Sequence, residues 1–133
     1  MTYNERVRFE RFAPAGKSVW VWGEDSKLIA FPWRINNRGR FERETTPVEV
    51  ATFAKTANPR EIVRRLNGSL QIAVNLRDEG ILQVFELTNP TKLRTECQHP
   101  SRMVSSFNLS TDGQALAALP NTQTGSGIVW DLT

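Results

Sequence analysis

Hydrophobic and polar residues alternate at several places along the chain, the pattern of half-buried strands. In "ERVRFERF" (5–12), Val7 and Phe9 alternate with Arg6, Arg8 and Glu10, which predicts a strand with a charged outer face. "SVWVW" (18–22) and "LIAFPW" (28–33) are further β-rich runs, separated by the turn "GEDSK". Pro32 cannot donate to a ladder, so the second run is expected to sit at an edge or to end early. "INNRGRFERETTP" is a polar connection with room for a short strand.

The clearest alternation is "SLQIAVNL" (69–76), where Leu70, Ile72, Val74 and Leu76 point one way and Gln71, Ala73 and Asn75 the other. "RDEG" is a turn in which Gly80 can take a positive φ. "ILQVFEL" then resumes the pattern, and the whole predicts a β-hairpin. "RMVSSFNL", "QALAAL" and "GIVWDL" follow, divided by "STDG" and "PNTQTGSG".

Residues 45–68 carry mixed signals. Thr46-Pro47-x-Glu49 and Asn58-Pro59-x-Glu61 each resemble a helix start, and Asn67-Gly68 suits a helix end. Against these stand the β-branched Val48, Val50, Thr52, Ile62 and Val63. The balance favours strands here, with a short helix near 47–55 as the alternative.

The chain also repeats itself. "IVRRLNGSLQIAVNLRDEGILQVFELT" (62–88) lies over "FNLSTDGQALAALPNTQTGSGIVWDLT" (107–133) at a shift of 45 without a gap, with six identities in 27 positions. They are Gly68/Gly113, Ala73/Ala118, Gly80/Gly125, Val84/Val129, Leu87/Leu132 and Thr88/Thr133. Phe85 faces Trp130 and Glu86 faces Asp131. An upstream copy fits less tightly: Gly16 precedes Trp33 by 17 residues, the spacing of Gly68 to Phe85 and Gly113 to Trp130. A second register would put Phe31 opposite Phe85. A period of about 40–45 residues is that of a four-stranded propeller blade.

With these motifs the sequence resembles the WD40-repeat β-propellers, most over 62–133, less over 5–40 and least over 41–61. In that family a histidine before the first strand, a serine in the second, an aspartate in the next turn and the tryptophan are linked by hydrogen bonds. His99 lies 31 residues before Trp130, Asp78 fits the turn aspartate, and Trp130-Asp131 is the eponymous pair. Ala118 stands at the serine position, "PNTQTGSG" holds no aspartate, and Phe85-Glu86 replaces Trp-Asp. The resemblance implies an all-β, propeller-like domain over 1–133 of roughly three four-stranded blades, at about 5–44, 45–95 and 96–133. The blade residues it implies are Gly16, Trp33, Gly68, Asp78, Phe85, His99, Gly113, Trp130 and Asp131.

Closed propellers have about four to eight blades, so three copies are incomplete as a single chain, and the last copy stops after its third strand. The expectation is a larger assembly, through a protein partner or self-association. The missing strand would come from another chain or from the chain's own "VRFERF".

Composition adds limits. The chain has 133 residues, 39% hydrophobic and 23% charged, as in an ordinary soluble domain. No run of about 18 apolar residues predicts a membrane span. The charged N-terminal stretch is no signal peptide. One cysteine, Cys97, cannot form an internal disulfide, which suits an intracellular, cytoplasmic setting. The net charge of +3 is uneven: residues 1–65 carry 13 Lys/Arg and 8 Asp/Glu, residues 66–133 carry 4 and 6.

Catalytic chemistry finds little support. Cys97 and His99 would need further ligands or an orienting group to bind metal or act as a nucleophilic pair. "AGKS" (15–18) has only the tail of a phosphate loop. The acid pairs Glu24-Asp25 and Asp78-Glu79 sit in turns. No cofactor or small-molecule substrate is indicated. The expectation is a non-enzymatic protein-interaction scaffold of WD40 type. The alternative is a nucleic-acid-associated subunit, in which Arg34, Arg38, Arg40 and Arg43 surround Phe41 and grip a backbone; Glu42 and Glu44 weaken that basic run.

Overall fold

The computed structural model describes residues 7–12, 18–23, 26–43, 48–88, 90–121 and 126–133. They form strands paired antiparallel into three open sheets, with no helix among the described residues. The chain divides into two compact units, Met1–Lys55 and Thr56–Thr133.

The first unit holds β1 (Val7–Phe12), β2 (Ser18–Gly23), β3 (Lys27–Ile35), β4 (Phe41–Arg43) and β5 (Val48–Thr52). The sheet runs β1-β2-β3-β4, with β5 also on β3. "VRFERF" therefore lies in this sheet as β1, paired with β2. The apolar run around Pro32 does not end early. β3 pairs β5 over Lys27–Ala30 and β4 over Trp33–Ile35, so Pro32 falls where one partner gives way to the other. A residue without an N–H is tolerated there because no continuous ladder on that side needs it. Trp22 and Leu28 are fully buried, and Trp22 stacks on Phe53 with centroids 4.9 Å apart.

The helix near 47–55 does not form. Val48–Thr52 is strand β5, because Val48 and Ala51 pair with Ala30 and Leu28 and the β-branched residues suit a pleated surface. The second helix-start signature lies inside β6 (Ala57–Arg64), and the ladder slips between Pro59 and Ile62. That bulge absorbs the donor that proline lacks. Asn67-Gly68 is a hairpin tip: Gly68 has φ +85° and donates to the Arg65 carbonyl, while the Asn67 side chain accepts from the Ser69 N–H.

The second unit starts with β6, β7 (Leu70–Leu76), β8 (Ile81–Glu86) and β9 (Lys92–Gln98), a four-stranded meander. It continues with β10 (Val104–Leu109), β11 (Ala115–Pro120) and β12 (Ile128–Asp131), a three-stranded one. Opposed residues in a ladder share a face. Val63, Ala73, Leu82, Val84 and Cys97 of the first meander pack on Phe107, Leu109, Leu116 and Ala118 of the second. Each large apolar side chain buried here contributes about 1.5–3 kcal/mol. Ile62, Ile72 and Val74, on the meander's other face, are buried as well.

The ladders break the gapless alignment on both sides of β11: Ile62 pairs with Ile72 but Phe107 with Ala118, and Val84 pairs with Ala73 but Val129 with Ala117. The β10–β11 connection between Leu109 and Leu116 is one residue longer than that between Arg64 and Leu70. Ala73 and Ala118, aligned by the repeat, both belong to the one core cluster between the two sheets.

Gly80 has φ +69°, and a Cβ there would sit 2.5 Å from the Ser101 carbonyl and 2.9 Å from that of His99. Gly39 has a similar φ of +71° but open space around it. Gly80→Ala is expected to cost about 2–3 kcal/mol, left-handed strain plus backbone overlap, and Gly39→Ala about 1 kcal/mol. Urea denaturation of the two variants checks this order.

Candidate interaction surface

The β10–β12 sheet buries one face and exposes the other. On the exposed face Val129 is 71% and Leu119 56% accessible. Beside them runs a groove of about 370 Å³ lined by Ser106, Asn108, Ala117, Leu119, Gly127 and Val129. Leu119 leans across Gly127, where a Cβ would meet its side chain at 2.8 Å. The cause is β periodicity: Leu116 and Ala118 turn to the core, so Ala117 and Leu119 cannot.

The two meanders are locked at one end by a polar node. The Arg94 guanidinium donates to the Gln71 Oε1 at 2.9 Å, to the Leu132 carbonyl at 2.8 Å and to the Gly113 carbonyl. Arg65 Nε donates to the Asp112 carbonyl. A Cβ on Gly113 would stand 2.8 Å from Gln71 Oε1, so the glycine lets the turn approach. Desolvation and the neighbouring Arg65 lower the Arg94 pKa, and Glu86 opposes them. Asp112 accepts from the Ser110 hydroxyl and the Gln114 N–H, which holds its carboxyl below the usual range. Nothing in the sequence marked Arg94 or Gln71; an arginine in an alternating strand reads as solvated.

At the other end His99 is buried, and its ring meets Trp130 edge-on with centroids 6.3 Å apart. His99 Nδ1 accepts from the Ser101 N–H at 3.0 Å, which assigns the proton of the neutral ring to Nε2. Nε2 is buried with no acceptor among the described residues, and Ala118, at the serine position, offers no hydroxyl. Cys97 lies in the core, and burial, then the nearby Glu96, raise its thiol pKa. No cluster of three metal-ligating side chains occurs among the described residues.

The other expected residues are dispersed. Gly68 and Gly113 occupy hairpin turns with positive φ. Asp78 is exposed in the β7–β8 turn at φ +64°, and Phe85 is half-buried on β8 opposite Ile72. Asp131 is exposed, and its carboxyl accepts from the Thr133 N–H and hydroxyl, which lowers its pKa. Gly16 lies outside the described residues. Trp33 and Arg34 are on β3 and Phe41 and Arg43 on β4, where Trp33 pairs Arg43 and Ile35 pairs Phe41. Arg38 and Arg40 are exposed in the intervening turn, which the Asn36 side chain braces by accepting from both their N–H groups. No helix among the described residues is long and apolar enough to cross a membrane.

No family model matches the sequence, and no curated protein does. Solved structures do match the fold. A candidate 6-phosphogluconolactonase from Bacteroides uniformis is similar at TM-score 0.61 and 16% identity, over 96% of this chain and 37% of its own. Sqt1 from Chaetomium thermophilum gives 0.58 and 18%, over 99% and 32%. Hsv2 from Kluyvelomyces marxianus gives 0.56 and 16%, over 100% and 52%. These are propeller-like folds, and the chain is an all-β protein of that kind. It spans between about a third and a half of their lengths.

Arg94→Met is expected to cost about 2–3 kcal/mol in urea denaturation, because three acceptors lose a charged donor. Arg94→Lys should recover little of it, since one ammonium cannot span the same fork of carbonyls. Cys97 should react with a disulfide reagent at pH 8 far more slowly in the folded protein than in urea. Its raised folded pKa also means that stability is full below the ordinary thiol pKa and declines as pH rises through the folded value. Alkaline melts of the native protein against Cys97→Ala check the sign.

Proposed function

We propose that the chain is a non-enzymatic protein-interaction module of WD40-like propeller type that docks onto, or completes, a larger assembly. The observation that carries this reading is the exposed apolar face of the β10–β12 sheet, Val129 and Leu119 beside their groove. A sheet face of this kind is stabilised by a partner. The likeness to Sqt1 and Hsv2, both WD40 proteins, supports it. The fold alone does not fix a function. The His99–Trp130 contact and the Arg94 node serve in this reading as braces of the scaffold, not as reacting groups.

A second reading rests on Arg38 and Arg40, exposed together on one braced turn. It makes the first unit a nucleic-acid contact through backbone phosphates. Retention on heparin that falls steeply with salt, and is lost on reversing Arg38, Arg40 and Arg43, would favour it.

Cross-linking in cells followed by mass spectrometry tests the first reading. Polypeptide cross-links should map around residues 106–129. The double variant Leu119→Asp, Val129→Asp should lose them at least tenfold while melting near the parent temperature. Cross-links to nucleic acid alone, or cross-links untouched by the double variant, would overturn it.

A further inference from the structure

The tip of the β6–β7 hairpin presents a leucine that its turn does not need. Leu66 is 99% accessible, the most exposed large apolar side chain among the described residues. Its neighbours make the turn. Gly68 supplies the positive φ and donates to the Arg65 carbonyl, the Arg65 N–H donates to the Ser69 carbonyl, and the Asn67 side chain accepts from the Ser69 N–H and hydroxyl. Asparagine and glycine suit such a turn by their backbone preferences, and leucine adds nothing to it. The sequence repeat sets the polar Thr111 at the place of Leu66.

Beside the leucine an arginine fork is held in place without an acceptor. Arg65 Nε donates to the Asp112 carbonyl at 3.3 Å. Its stem lies against Gly113, where a Cβ would meet Arg65 Cγ at 3.0 Å and Cδ at 3.1 Å. Those contacts fix the stem, yet Nη1 and Nη2 find no acceptor among the described residues. The Asp112 carboxylate is occupied in its own turn by the Ser110 hydroxyl and the Gln114 N–H. Arg64 is engaged by the Gly68 carbonyl, and the Arg94 fork by Gln71, Gly113 and Leu132. Burial first, and Arg65 second, lower the Arg94 pKa, so the two guanidinium groups repel, with Glu86 offsetting this in part. An anion on Arg65 relieves that repulsion, and a carboxylate matches the planar fork with two parallel hydrogen bonds.

We propose that this tip binds an acidic, aliphatic segment of a partner polypeptide, with one carboxylate on the Arg65 fork and a neighbouring aliphatic side chain on Leu66. The pre-set turn and the braced stem lower the ordering cost of such a contact. It rests on the interaction-module reading and adds a second contact to it, at residues that reading does not use. A nucleic-acid strand fits less well: it repeats its phosphates, whereas Arg65 alone of these three arginines has an unengaged fork, and leucine has no ring to stack a base. A lipid surface fits less well again, because one leucine buries less than a single acyl chain, which by itself anchors only marginally.

The test titrates the whole chain with an eight-residue peptide alternating glutamate and leucine, read by NMR at the Leu66 methyl groups and the Arg65 Nε–H. Both resonances should shift saturably. Leu66→Ala, at a fully exposed position, should weaken binding at least threefold, and Arg65→Gln at least tenfold. Arg65→Lys should recover little, since an ammonium keeps the charge and loses the fork. A peptide with lysine in place of glutamate should leave both resonances unmoved on the unaltered protein, so the result does not depend on how a variant folds. The double variant Leu119→Asp, Val129→Asp should bind the peptide as the parent does. Resonances unmoved up to the peptide's solubility limit, or moved equally by the lysine peptide, would overturn the proposal. So would tighter binding at the tip by a single-stranded oligonucleotide or by phosphatidylserine vesicles, which assigns it to nucleic acid or lipid. Peptide binding lost in the double variant would strike the tip while leaving the interaction module standing.

Discussion

The second unit depends on one face-to-face contact. Leu82 and Val84 from one meander meet Phe107 and Leu116 from the next, with Ala73 and Ala118 between them allowing the sheets to close. A single twisted meander has two faces and too little chain to cover either by itself, so burial must come from a neighbouring sheet. The β6–β9 sheet is buried on both faces, and its Gln71 and Asn75 are carried inside with it. Arg94 follows from this. A buried Gln71 needs a partner for its carbonyl, and an arginine reaching across the seam supplies one while also holding the carbonyls of Gly113 and Leu132.

The β10–β12 sheet is the same kind of object with half the cover. Its inner face is closed by the contact just described, and its outer face presents Val129 and Leu119 to solvent. The interaction reading rests on that asymmetry. It is local to this sheet and does not depend on the basic turn at Arg38 and Arg40, which belongs to the other unit.

Period-two alternation made most strands legible, because a pleated strand sends successive side chains to opposite faces. The repeat at a shift of 45 identified β6–β8 and β10–β12 as related units, and the glycines at 68 and 113 marked turns that require positive φ. Helix-cap patterns at Pro47 and Pro59 competed with β-branched residues, and both segments are strands. Local capping contributes only about 1 kcal/mol, less than the pairing and burial of a strand. The register breaks on both sides of β11 were invisible, since the sequence aligned without a gap and only the ladders show which residue opposes which.

The sequence by itself determined the all-β class, the repeated hairpins and the lack of a hydroxyl at Ala118. These are set by residue type and spacing within one repeat. Only the tertiary structure decided that "VRFERF" pairs within the first sheet, that Gln71 is buried and answered by Arg94, and that Val129 stands open where Val84 is covered. Those outcomes turn on which sheet lies against which, and two residues aligned by a repeat carry no record of whether a neighbour is present.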